Sequence, residues 1–183
     1  IDHVKENPKN GETVKVISSD GKFLGWAAYS TKSQISLRIW SFKETEIINS
    51  TFFKEKILQS IELRKQILDI SNTNVYRLIN AESDSLPGMI VDKYNDFIVC
   101  QFLSAGAEFW KQEIVNELSA LLNPSGIYER SDVEVREKEG LDPVSGILFG
   151  EAPPDFVEII ENGIKFFVDI KIGHKTGFYI DQR

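Results

Sequence analysis

The chain has 183 residues, of which 42% are hydrophobic and 27% charged; this is the balance of a folded globular protein and excludes a fibrous or disordered one. A formal net charge of -7 speaks against a uniformly basic nucleic-acid binder. No apolar run reaches the roughly 18 residues needed to cross a bilayer and no signal peptide opens the chain, so a cytoplasmic location is expected.

The charge is unevenly spread. Residues 1–48 carry 7 Lys and Arg against 6 Asp and Glu, residues 49–155 carry 10 against 18, and residues 156–183 carry 4 against 4, so the acidity belongs to the middle. Cys100 is the one cysteine, which excludes an internal disulfide, and His3 and His174 lie too far apart for zinc-ligand spacing. The chain starts at Ile1, has its one methionine at Met89 and stops in an aromatic-rich stretch at Gln182-Arg183. A piece of a longer protein is expected, with residues removed on both sides.

From Gly11 to Phe42 the pattern is short, β-rich and broken by turns. Thr13 to Ile17 alternates, Ser19 to Lys22 is a turn, and Phe23 to Ala27 resumes, which together predict a hairpin. Ile35, Leu37 and Ile39 fall on one face of a further strand and Arg38 on the other. Asn49, Ser50 and Thr51 are cap candidates for a helix whose apolar residues Phe53, Ile57, Ile61 and Leu68 fall near helical spacing. Strands are predicted at Val75 to Asn80, Met89 to Val91 and Phe97 to Leu103, then a helix from Ala107 to Leu122 with Trp110, Ile114, Leu118 and Leu121 as its buried stripe. Asn123-Pro124-Ser125-Gly126 stops that helix, and strands follow at Ile127-Tyr128 and Ile147 to Phe149. Asn162-Gly163 joins a last hairpin of Phe156 to Glu161 and Ile164 to Ile170, because these two residues accept the positive φ of a two-residue turn.

Three segments carry more chemistry than a scaffold needs. Glu82 and Asp84 stand before Leu86-Pro87-Gly88; paired carboxylates can act as acid and base, but a solvated turn capping backbone amides explains them equally. Glu129 to Leu141 is densely charged, and Arg130, Arg136 and Lys138 could touch phosphates, although an exposed face with weak ion pairs is the simpler reading. Gly173 to Arg183 crowds glycine, hydroxyl, aromatic, amide and guanidinium groups together. Such a set suits a small anionic ligand, with Lys175 or Arg183 on a carboxylate, Phe178 or Tyr179 against a ring, and Gly177 allowing close approach. Cys100 sits mid-strand among apolar residues and reads as a buried inert thiol. Neither a G-x-G-x-x-G fingerprint nor a phosphate loop occurs.

These segments resemble the bacterial large-subunit ribosomal RNA cytosine methyltransferases that carry an N-terminal PUA domain. The likeness runs through Gly11-Glu12-Thr13, Ser33-Gln34-Ile35, Tyr76-Arg77-Leu78-Ile79, Glu82-Ser83-Asp84, Leu86-Pro87-Gly88, Ser104-Ala105-Gly106-Ala107-Glu108, Arg130-Ser131-Asp132-Val133 and His174 to Arg183. The resemblance implies an α+β chain in three parts. Residues 1–48 would be an incomplete PUA-type β-barrel that binds RNA, and residues 49–155 a strand-strand-helix-strand-strand middle domain. Residues 156–183 would be a hairpin leading into an absent Rossmann-like core that binds S-adenosylmethionine. It also implies 5-methylcytosine as product and ribosomal RNA as partner, with no membrane and with a homodimer left open. Lys175, Thr176, Phe178, Gln182 and Arg183 become cofactor-side residues. In such enzymes a cysteine thiolate adds to cytosine C6; Cys100 matches no such position, so no catalytic residue is assigned here and the piece itself is expected to be inactive. A stand-alone RNA-binding or ribosome-associated module is the alternative. A hydrolase built on Glu82, Asp84 and Asp92 is a remoter one, since their spacing supplies neither metal cage nor nucleophile.

Overall fold

The computed structural model describes residues 3–180. Alternating sequence in the first part folds as an antiparallel sheet of β1 (Thr13–Ile17), β2 (Phe23–Tyr29) and β3 (Leu37–Ser41), in that order. Ser18 closes the turn between β1 and β2, its backbone N–H donating to the Lys22 carbonyl at 2.9 Å. The chain then enters α1 (Ser50–Ile67). Of the three cap candidates Asn49 does the capping, its side chain accepting the Phe52 N–H at 3.1 Å.

The middle of the chain is one five-stranded sheet. Its members are β4 (Val75–Asn80), β5 (Met89–Tyr94), β6 (Phe97–Phe102), β7 (Gly126–Ser131) and β8 (Val144–Gly150), ordered as numbered. Only β6 and β7 pair in parallel, because a helical crossover joins them while the other neighbours are antiparallel. That crossover is α2 (Ala105–Phe109) and α3 (Lys111–Leu122), two helices where the periodicity predicts one. The break falls at Trp110, whose ψ of 9° leaves the helical range; its indole N–H donates to Thr13 Oγ1 at 3.2 Å, tying the crossover to β1. The strand-strand-helix-strand-strand pattern is β5, β6, α3, β7 and β8, and β4 extends it at the edge. A short α4 (Val135–Lys138) sits between β7 and β8. The last hairpin pairs β9 (Val157–Glu161) with β10 (Ile164–Val168) through Asn162 and Gly163, at φ of 51° and 78°.

The period of two in β5 and β6 sorts their side chains onto opposite faces. Val91, Ile98, Cys100 and Phe102 join a core under α1 and α3, with Phe53, Ile57, Ile114 and Leu118. Trp40 and Ala28 of the first sheet belong to this core too, so residues 13–41 pack onto the middle unit. Tyr94 and Val99 face the other way, into a second core with Val157, Ile159, Val168, Ile170 and Ile180. The five-stranded sheet is therefore covered by helices on one face and, on the other, by the hairpin and the segment that follows it.

Candidate functional site

Residues 169–180 turn back beneath the second core. Asp169 starts the turn, its carboxylate accepting the N–H groups of Lys171 at 2.8 Å and Ile172 at 3.0 Å. At Gly173 a Cβ would lie 2.2 Å from the Asp169 carbonyl oxygen, so no side chain fits there. Lys175 takes a left-handed φ of 57°, and Gly177 has φ of 135° with the Ile170 backbone 2.9 Å from where its Cβ would be.

Thr176 is the peg that fixes this turn. It is 1% exposed and its hydroxyl donates to Asp92 Oδ2 at 2.6 Å. With its one proton committed, Thr176 Oγ1 accepts at 2.8 Å from the Tyr94 hydroxyl, which in turn accepts the Phe178 N–H at 3.2 Å. Arg77 completes the chain by donating Nε–H and Nη2–H to the two Asp92 oxygens at 2.8 and 3.0 Å. The protons thus run in one direction, from Phe178 through Tyr94 and Thr176 to a carboxylate held by a guanidinium. Burial pushes the Tyr94 phenol well above its ordinary range, so the donor is fully protonated at neutral pH.

Arg130 holds the turn from β7. Its guanidinium donates to the carbonyls of Ile170 at 3.2 Å and Gly173 at 3.2 and 3.3 Å, and to Asp132 at 3.0 Å. Of the two other cations in the mixed-charge stretch, Arg136 is buried, donating to the carbonyls of Phe102 and Asp142 and to Glu108, while Lys138 is exposed. Neither arginine is free for a phosphate. Both are interior struts, a role distinct from phosphate binding and from the exposed ion-pair face.

The candidate cofactor-side residues divide accordingly. Thr176 spends its hydroxyl inside the protein, and the Phe178 ring packs against Phe166 at 5.3 Å between centroids. Lys175 is exposed, with Nζ 4.8 Å from the Tyr179 ring centre. Gln182 and Arg183 lie outside the described residues. Those described supply one accessible cation and a rigid backbone, not an enclosed pocket for an adenosyl group; a donor such as S-adenosylmethionine would need further walls. Sequence reasoning missed Tyr94 here, and named Asp92 only as a hydrolase carboxylate rather than as the partner of Thr176. Their signal was a carboxylate and a phenol two apart in one strand, hence on one face of the sheet.

The Glu82-Ser83-Asp84 segment is a short 3-10 turn. Asp84 is clamped by Arg64 through two 2.6 Å bonds and also accepts the Asn80 N–H, whereas Glu82 reaches Arg38 of β3 at 3.3 Å. Glu82 and Asp84 thus pair with different arginines, and Asp92 belongs to the Thr176 peg, so the three do not converge. Among the described residues no group of three His, Cys, Asp or Glu is placed to hold a metal. Burial, with Glu129 and Asp92 adding to it, pushes the Cys100 thiol well above its ordinary range; it is not a nucleophile.

Comparison with known proteins adds to this geometry. The PUA-like domain family matches residues 1–42. A protein of Vibrio vulnificus named ribosomal RNA large subunit methyltransferase I is 52% identical over all 183 residues, and one of the same name from Vibrio cholerae is 55% identical. Among solved structures, a putative SAM-dependent methyltransferase from Streptococcus mutans superposes with a TM-score of 0.79 at 29% identity, covering 96% of this chain. A second, a putative methyltransferase complexed with SAH, gives 0.79 at 28%. The chain is similar to these proteins from end to end, and it spans about half of them: 46% of the length of the curated relatives and 44% of the solved chains.

Proposed function

We propose that these residues are the RNA-recognition and linking part of a cytoplasmic, S-adenosylmethionine-dependent enzyme that methylates cytosine C5 in large-subunit ribosomal RNA. The carrying observation is identity above 50% over the whole chain to proteins named for methylation of that RNA. Residues 1–48 act as the PUA-like RNA-binding domain, 49–155 as the middle domain, and 156–183 as the hairpin leading to the methyl-transfer domain. A sulfonium donor would supply the transferable methyl group. On this reading Lys175, Gln182 and Arg183 face the donor's carboxylate end, while Thr176 and Phe178 hold their segment against the sheet. The inert environment of Cys100 is consistent with a nucleophile outside these residues.

An intact protein containing this chain should label large-subunit ribosomal RNA with methyl from S-adenosylmethionine at a cytosine that then resists bisulfite conversion. The 183-residue chain should give no label, because its described residues enclose no donor pocket. Label at another base by the intact protein, or transfer by the chain alone, would sink the proposal.

A further inference from the structure

A groove of about 530 Å³ opens between β3 and the 3-10 turn, away from the Thr176 peg. Ile35, Leu37, Ile39, Trp40 and Phe42 give it an apolar wall, and Pro87 faces them. Phe42 is 77% exposed and Ile35 54%, an aromatic ring and a branched side chain left in water at the mouth. Charge at this mouth is opposite in sign to the chain as a whole. Glu82 is occupied by Arg38, and Glu46 accepts from the Ser41 hydroxyl. Lys43 and Lys56 line the same groove and, among the described residues, neither meets a carboxylate within ion-pair distance.

We infer that this groove seats a nucleotide of single-stranded RNA, its base against Phe42 and Ile35 and its flanking phosphates on Lys43 and Lys56. Lys56 Nζ lies 5.6 Å from the Phe52 ring centre, and an apolar wall beside cations that meet no carboxylate is the combination that holds unstacked bases, because every base offers a π-face and every linkage a negative charge. An apolar peptide would use Phe42 and Ile35 but has no use for the two lysines. The inference rests on the RNA-binding reading above and narrows it to one surface.

Binding of a fluorescently labelled 12-nucleotide single-stranded RNA of mixed sequence, measured by anisotropy against salt concentration, tests this. Phe42→Ala should weaken binding about fivefold to a hundredfold, the worth of one stacked base. Because Phe42 is exposed, its melting temperature should stay that of the parent. Lys43→Glu/Lys56→Glu should lower the slope of log affinity against log salt by about 1.4, the loss of two phosphate contacts. Lys65→Glu/Lys165→Glu, the same charge change elsewhere on the surface, should do neither. If the parent binds the RNA and both groove variants bind equally well, the groove is wrong while the RNA reading survives. Loss with Phe42→Ala alone, at an unchanged salt slope, would mean an apolar occupant and overturn the assignment to RNA. No binding by the parent even at low salt would remove both.

Discussion

The arrangement at Thr176 turns on a single proton. A threonine hydroxyl has one hydrogen to give, and giving it to Asp92 obliges Tyr94 to donate, which frees the phenol oxygen to accept from Phe178. Thr176→Val deletes donor and acceptor together in a fully buried place and should cost about 1–3 kcal/mol in urea unfolding. Thr176→Ser keeps the hydroxyl and should recover most of that; equal losses in the two variants would show that the methyl, not the bond, matters. The phenol also gives a pH signature. Burial raises its folded-state pKa above the ordinary 10.0, so the folded state keeps a proton that the unfolded state releases. The stabilisation is complete below pH 10 and is lost as pH rises above it. Cys100, raised from 9.0 by the same cause, begins the decline a unit earlier, and Lys93, lowered by burial, opposes it. Stability should therefore fall above about pH 9, and Tyr94→Phe should flatten the part above 10. An unaltered slope in that variant would mean that Tyr94 does not carry it.

At the scale of elements, much was legible where the pattern is local. Alternation marked β1 and β3, apolar runs marked β5 and β6, Asn162-Gly163 marked the last hairpin, and Asn49 was among the caps named for α1. What escaped was long-range. Arg64, Arg130 and Arg136 look like surface charge in sequence, yet each is buried because its carbonyl and carboxylate partners arrive from other elements; Arg64 meets an Asp 20 residues on. The helix broken at Trp110 escaped for the same reason, since its indole is committed to Thr13, 97 residues away. The junction between the first sheet and the middle unit is built this way throughout. Buried Glu139, just after α4, accepts from the Ser33 hydroxyl at 2.7 Å, Arg38 at 2.9 Å and the Ala105 N–H at 3.4 Å. Beside it Gly106 lets α2 approach Trp40 and Ala28. A Cβ there would lie 2.3 Å from the Ala28 methyl and 2.8 Å from the Trp40 ring, so Gly106→Ala should cost about 1–3 kcal/mol by overpacking. Glu139→Ala should cost a similar amount, about 1–3 kcal/mol, below the figure for a fully buried pair because Arg38 keeps Glu82 and some water. Limited proteolysis should then cut residues 13–41 sooner than the five-stranded sheet. Cleavage spread evenly over the chain would show that these contacts do not define the junction.

For the whole molecule the decisive fact is that one sheet serves two cores. Val75, Tyr94 and Val99 line the hairpin side, while Leu78, Val91, Ile98 and Cys100, from the same three strands, line the helix side. Neither core can be lost without removing the backbone that supports the other, so the described residues should unfold in one transition. The probes are conveniently separated. Trp26, Trp40 and Trp110 all lie on the first sheet or the crossover, whereas amide exchange in β9 and β10 reports the far side. Phe53→Ala, emptying the centre of the helix-side core, should cost about 3–5 kcal/mol. It should lower the urea midpoint of tryptophan fluorescence and of hairpin amide protection by the same amount, although no hairpin residue belongs to that core. Ile159→Ala should do the reverse from the other face, at about 2–5 kcal/mol. Coincident shifts would mean that any ligand tightening the groove beside β3 also steadies the Lys175 turn through the shared sheet. Midpoints that separate would make the hairpin and its turn an independent unit, and the groove and the turn would then respond to their ligands separately.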